Sequence, residues 1–317
     1  MFRRLIAACI VVAASAIAPP AFAQSAAPSP QALDSQWSGA RAMKDIAAQL
    51  SLGRRGIGTD GHAKTIEFIK RELTKAGAAK IEMQSWTDHD DAGNALKLTN
   101  VIGRFNLMRT NRIIVGTHYD SIVRAYADKQ NPQAPMPGAN NSASGVAVLL
   151  ETARALSKLP PPAYGIDLVF FDGEEGPKSL GAGDQNWRAL GSPYFAAHLA
   201  EFYPEQKPAQ AIIFDMVCFK NLKLIPDAAS VAFAKDEVDR FWEIGRQVAP
   251  SVFTSTSPGP VIGDDQFALA KAGIPSFLVI DFDYDPWFNT TQDTIDKCSA
   301  QSVDAVGHTL LRYLYSQ

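Results

Sequence analysis

Three short stretches carry residue types that do chemistry together. The first, GTHYDS at Gly116–Ser121, holds His118 and Asp120; the second, PGANNSASG at Pro137–Gly145, holds Asn140 and Asn141; the third, FFDGEEG at Phe170–Gly176, holds Asp172, Glu174 and Glu175. Asp215 follows Ile212-Ile213-Phe214, and Asp281 and Asp283 follow the apolar run Phe277–Ile280. In open α/β sheets, ligands bind at the carboxyl ends of the strands. One polar residue in such a place is more often a cap or a loop-solvating group. Four apolar runs ending the same way point to a shared site. An imidazole, a polar turn and a glutamate pair at strand ends is the layout of a hydrolytic metal centre. Such a centre wants a carboxylate in the middle turn, and here that turn offers two neutral amides, which are poor donors for a hard or borderline dication.

The elements that must position these residues follow from periodicity. Arg41–Leu52 and Thr59–Ala76 have helical spacing, the second with Ile66, Phe68, Ile69 and Leu73 on one side, a Thr59 N-cap and Gly77 just past its end. Lys80–Trp86 and Leu96–Arg104 read as a hairpin around the turn Asp88–Gly93. From there strand and helix alternate. Arg112–Thr117, Ile166–Phe171, Ala211–Val217 and Ile274–Ile280 are expected strands, and Ser142–Lys158, Asp236–Val248, Asp264–Ala272 and Ser299–Tyr315 expected helices. Apolar strands alternating with helices predict an α/β fold, a single domain with a central, mostly parallel mixed sheet covered by helices on both faces. The loops Ile122–Pro137 and Gly176–Gly191 exceed plain connectors and are expected to shape a binding site.

The chain has 317 residues. Residues 1–23 read as a secretory signal: Arg3 and Arg4, the apolar run Leu5–Ala18, then Ala21-Phe22-Ala23 before a cut at Gln24. The run is short for a membrane span, so no stable membrane insertion is expected after cleavage, and the location is expected to be periplasmic or secreted. Residues 24–38, rich in Ala, Ser, Pro and Gln, read as a disordered lead, leaving residues 39–317 as the folded domain. With 30 Lys and Arg against 33 Asp and Glu, and no basic stripe interleaved with aromatics, nothing points to nucleic acid. Cys218 and Cys298 follow the signal segment; export permits a disulfide between them, and two buried thiols are the equal alternative.

The stretches GTHYDS, PGANNSASG, FFDGEEG, FDMV and NTTQDT resemble, in order and spacing, metallopeptidase family 28, the zinc aminopeptidases and the related glutaminyl-peptide cyclotransferases. The resemblance runs from about Arg41 to the C-terminus. The segments after FFDGEEG, with DDQFALAKAGIP and DFDY, look most like the bacterial glutaminyl-cyclase-like branch. It implies a zinc-exopeptidase fold that acts on or binds the N-termini of peptides or proteins.

Carried over position by position, the resemblance places His118 as a zinc ligand with Asp120 orienting its ring. Glu174 stands for the general acid/base, Glu175 for a zinc ligand, Asp215 for the ligand of a second metal. Asp264 matches a cyclase aspartate that shares a proton with the catalytic glutamate. The bridging aspartate falls on Asn141. The last histidine, four residues before Asp293, falls on Asn289. Of the aspartate, second glutamate and final histidine that hold the single zinc of the cyclases, this chain keeps the glutamate. A further polar position of the cyclases is Leu278, and the glycine after DMV is Cys218. The expectation is therefore a degenerate metal site, holding one zinc at most and weakly, in a candidate pseudoenzyme; the alternative is an active zinc-dependent cyclase or aminopeptidase with a re-formed site, for which Asp283 or Asp285 are substitute ligands. One extra residue between DFDY and NTT shifts the register there. In the family the segments carrying Cys218 and Cys298 both approach the site, which implies that the two lie close enough to bridge.

Overall fold

The computed structural model describes residues 27–176, 187–255 and 257–317. The signal segment expected at residues 1–23 lies outside these residues, as do the start of the lead and most of the Gly176–Gly191 loop. In chain order the elements are α1 Pro30–Asp34, α2 Gly39–Ser51, α3 Asp60–Lys75, β1 Lys80–His89, β2 Ala95–Phe105, β3 Arg112–His118, α4 Ala143–Leu156, β4 Gly165–Phe171, α5 Gly191–Ala197, α6 Leu199–Phe202, β5 Gln210–Asp215, α7 Ala228–Val248, α8 Gln266–Lys271, β6 Ser276–Ile280 and α9 Ala300–Tyr315.

The six strands form one sheet in the order β1-β2-β4-β3-β5-β6. The β1–β2 hairpin adds antiparallel to β4, while β4, β3, β5 and β6 run parallel to one another. The carboxyl ends of those four strands therefore share one edge. Successive side chains of a strand point to opposite faces, and the parallel strands show it. Ile113, Val115, Leu168, Phe170, Ile212, Phe214, Phe277 and Val279 pack into the core under α2, α4, α7 and α9. Ile114, Val169, Phe171, Ile213, Leu278 and Ile280 pack into a second core with Phe195, Leu199 and Leu269 from α5, α6 and α8. Strands buried on both faces lack polar alternation for this reason.

Three expectations change. The lead expected to be disordered over residues 24–38 contains α1. Ser29 caps it and Pro30 opens it. Leu33 and Trp37 are buried, Trp37 fitting over Gly307 of α9 where no side chain has room, and Arg312 pairs with Asp34 at 2.5 Å. Two docked apolar residues outweigh the polar composition. Helix α7 begins eight residues before the expected Asp236, capped by Asp227, which accepts from Ala229 and Ser230; a non-helical Ala234 interrupts the pattern where the reading began. Helices α5 and α6 were not foreseen. Elsewhere the expected cap and stop hold: Thr59 accepts from His62 N, and Gly77 takes the left-handed conformation (φ 74°). No helix among the described residues is long and apolar enough to cross a membrane.

Candidate functional site

His118 ends β3, Asp172–Glu175 follow β4, Asp215 ends β5, Asn141 precedes α4, Asp264 precedes α8, and Asn289 lies on the segment between β6 and α9. All are buried. Asp120 organises the first part of this cluster. Its Oδ1 lies 3.3 Å from His118 Nδ1, and its two oxygens accept the backbone N–H groups of Glu174 and Glu175 at 3.0 and 3.1 Å. Gly173, with φ 70°, supplies the left-handed turn that presents both N–H groups. On its other side His118 Nε2 lies 3.2 Å from Asp215 Oδ1, and Glu174 stands 3.9 Å from the imidazole.

Asp293 organises the second part. It accepts the backbone N–H of Asn140 at 2.9 Å and of Asn141 at 3.1 Å, and the Tyr284 hydroxyl at 2.6 Å. Asn140 turns to the core, its Oδ1 accepting from Cys218 N at 2.9 Å. Asn141 turns the other way: its Nδ2 donates to Glu175 Oε1 at 2.6 Å and reaches Asn289 Oδ1 at 3.4 Å. Asn289 donates in turn to the Tyr126 hydroxyl at 3.0 Å. Behind this turn lies Arg55, fully buried, its guanidinium donating to the carbonyls of Pro137 and Gly138. Burial lowers its pKa to about 10 against the opposing charges of Asp293 and Asp120.

Crowded carboxylates without matching cations resist ionisation. Burial pushes Glu175 up to about 8, with Asp120 and Asp215 adding to the shift and His118 and Asn141 opposing it. Burial, then Asp264 and its neighbours, carry Glu174 well above the usual range against the His118 charge. Asp264 is raised likewise by burial and by Asp265, and Asp265 rises to about 7 by burial. Burial pulls His118 down, but Asp120, Asp215 and Glu174 leave it well above its ordinary value. The result is a set of carboxyl groups that resist ionisation beside an imidazole that favours its charged form.

The structure thus gathers His118, Asp120, Asn141, Glu174, Glu175, Asp215, Asp264 and Asn289 at one edge of the sheet. It does not gather the substitutes: Asp283 and Asp285 are exposed, and Asp281 accepts from the backbone of Asp283 and Lys223 in its own neighbourhood. Leu278 is buried within β6. A disulfide joins Cys218 and Cys298, their Cα atoms 4.7 Å apart. Sequence reasoning missed Asp265, buried beside Ser192, as well as Arg55, Tyr126 and Trp187, whose indole N–H donates to Glu174 O at 3.1 Å. Asp265 adjoins a motif and was within reach; the others come from loops whose approach has no local signal.

Zinc is bound by thiolate, imidazole and carboxylate donors, and a catalytic ion takes three from the protein. Among the described residues no group of three or more His, Cys, Asp or Glu has metal-holding geometry. Asn141 is engaged with Glu175 and Asn289. It supplies no bridging charge to offset the repulsion of two close dications, and Asn289 supplies no imidazole. These residues fit neither a two-zinc centre nor the aspartate–glutamate–histidine set of a one-zinc centre.

Aminopeptidase YwaD of Bacillus subtilis is 27% identical over 261 residues, 78% of this chain and 50% of that protein, so the chain spans about half the length of that relative. The crystal structure of Bacteroides thetaiotaomicron glutaminyl cyclase superposes with a TM-score of 0.83 at 27% identity, covering 89% of this chain and 99% of that one. A Zn-dependent exopeptidase from Parabacteroides distasonis gives 0.82 at 26% identity, with the same coverage. Residues 100–314 match peptidase family M28, and with its single α/β domain and the match spanning more than half its length, the chain belongs to that family.

Proposed function

We propose that this protein receives the N-terminus of a peptide or protein at the carboxyl edge of its sheet, and that its metal centre is degenerate relative to its zinc-dependent relatives. Family membership and the likeness to an aminopeptidase and to glutaminyl cyclases support the first part. One observation carries the second: Asn141 donates to Glu175 at 2.6 Å and reaches Asn289, so two positions that the family gives to metal ligands hold amides bound to each other and to the remaining glutamate. In this reading Glu174 and Asp264 share protons at the mouth of the site, His118 is held by Asp120 and Asp215, and the carboxylate group favours a cationic ligand end. The protein is then a binding member of the family, a pseudoenzyme. The second reading, an active zinc-dependent glutaminyl cyclase or aminopeptidase with one ion on His118, Glu175 and Asp215, is favoured by the retained Asp120 contact to His118. Export to the periplasm or beyond is supported by the buried Cys218–Cys298 disulfide, a bond that persists in oxidising compartments; N-terminal sequencing of the protein recovered from its producing cell should begin at Gln24.

Calorimetric titration of zinc into metal-stripped protein tests the reading. The native protein should bind zinc weakly. Asn141→Asp combined with Asn289→His should tighten it by at least roughly 100-fold, since losing even an outer partner costs about 10–100-fold. Nanomolar zinc affinity in the native protein would establish the zinc enzyme instead.

A further inference from the structure

We propose that Tyr126, Asn289, Asn141 and Glu175 form one hydrogen-bonded chain that organises the site without a metal ion, and that Asn141 Oδ1, next to its Glu175 end, accepts a hydrogen bond from the primary ammonium of a peptide N-terminus. This rests on the reading of the pocket as a receiver of N-termini and states how the terminus is held.

The chain is continuous. Asn289 Nδ2 donates to Tyr126 Oη at 3.0 Å, Asn141 Nδ2 reaches Asn289 Oδ1 at 3.4 Å, and the same Nδ2 donates to Glu175 Oε1 at 2.6 Å. Its outer end is fixed by the loop over residues 122–137. Ala127 N donates to Asn289 O at 3.2 Å. Thr291 donates to Asp128 through its backbone N at 3.1 Å and through its hydroxyl. Asp128 Oδ1 accepts from Gln130 N and Asn131 N. The segment that presents the last metal ligand in the family is here a dock for a neighbouring loop, and Asn289 holds the dock through both backbone and side chain.

What the chain leaves open identifies the ligand. Asn141 is 4% exposed, and its Oδ1 has no hydrogen-bond partner. Native proteins leave few buried acceptors unpaired. An acceptor of this kind wants an N–H or O–H donor, and the buried carboxyl of Glu175 bonded to the same amide, with Asp215 and Glu174 beside it, favours positive charge. A primary ammonium offers both, with three donors and no acceptor: one N–H for Asn141 Oδ1 and two for the carboxyl groups. An N-acetylated terminus has one N–H and no charge. Tyr126 acts through Asn289 and is a positioning residue.

The test uses metal-stripped full-length protein in a chelator, titrated calorimetrically with the tripeptide alanyl-leucyl-phenylalanine amide and with its N-acetylated form, then repeated with zinc added. The expected result is binding of the free-amine peptide without zinc, with a loss of roughly tenfold or more on acetylation, the range for a hydrogen bond to a charged group. Asn141→Leu should weaken binding about tenfold and Tyr126→Phe by a smaller factor; the second variant serves if the first does not fold. The side-chain amide NMR signals of Asn141 and Asn289 should shift with the free-amine peptide and not with the acetylated one, which a purely structural role would not produce. Binding that appears only with zinc, or that Tyr126→Phe and Asn141→Leu leave unchanged, overturns the metal-free chain while sparing the reading of the pocket as a receiver of N-termini. Equal binding of both peptides, or none in any condition, overturns both.

Discussion

Asp167, near the start of β4, and Glu174, just past its end, are both buried carboxyl groups, and their surroundings are opposite. Asp167 receives Arg112 at 2.6 and 2.7 Å, Arg104 at 3.0 Å and the Tyr203 hydroxyl at 2.8 Å. Glu174 has Glu175, Asp264 and Asp265 for neighbours and a single imidazole within ion-pairing distance. A buried carboxylate met by two guanidinium groups is satisfied within the fold and ties strands and helices together. A buried cluster of carboxyls set around one imidazole is held in place by backbone N–H groups and keeps its capacity for an outside cation. The difference separates a structural polar cluster from a site when both look equally charged in sequence.

The comparison breaks most sharply at Asp167. Asp167→Ala leaves the buried Arg112 without its counter-ion and the half-buried Arg104 with Glu82 alone, and removing one partner of such a cluster costs about 3–5 kcal/mol. Urea unfolding should show that loss, whereas Glu174→Gln at the other end should leave stability unchanged or raise it. Equal losses would erase the distinction.

The disulfide comes next. It closes an 80-residue separation beside the Asn140 contact, and reduction or the pair Cys218→Ser and Cys298→Ser should cost about 2–4 kcal/mol. Because Asp293 and Cys218 together hold Asn140 and Asn141, hydrogen exchange should open first at the site edge of the sheet and last around Asp167.

The pH dependence sharpens the same contrast. A carboxyl whose folded pKa is raised contributes stability that is complete below its unfolded value, near 4, and is lost as pH rises through its folded value, about 7 for Asp265 and about 8 for Glu175. The raised His118 has the same sign, its contribution present below its unfolded value and lost as pH rises through the folded one. In metal-free buffer the melting temperature should therefore fall from pH 5 to pH 8.5, by several degrees for a chain of this size. A flat profile would show that the carboxyls are satisfied as Asp167 is. The smallest effect is Asp265→Asn, which removes one of the crowded charges and should stabilise the protein at pH 8 by on the order of 1 kcal/mol while shallowing that slope.

Much of the architecture was legible beforehand because strands buried on both faces leave continuous apolar runs and the long helices leave a period of 3.6 residues. The second hairpin strand, the parallel strands and α4 and α9 stand within a residue or two of where pattern placed them, while β1 runs three residues past its expected end at Trp86. The lead failed as a reading because composition averages over a segment, while docking depends on Leu33 and Trp37 alone. Helices α5 and α6, of seven and four residues, are too short to show a period.

The sequence by itself determined which residues end each parallel strand, and so that His118, Glu174, Glu175 and Asp215 would meet, since strands running in one direction in one sheet bring their carboxyl ends to one edge. It also determined that amides, Asn141 and Asn289, stand at two places that the family resemblance gives to ligands. Only the tertiary structure decided what those amides do. Asn141, Asn289 and Tyr126 lie far apart in the chain, and hydrogen bonding between them depends on distances of a few ångströms set by the packing of three separate loops. Spacing along a chain carries no information at that scale, and the same holds for the arginines that make Asp167 structural and for the crowding that raises the carboxyls of Glu174 and its neighbours.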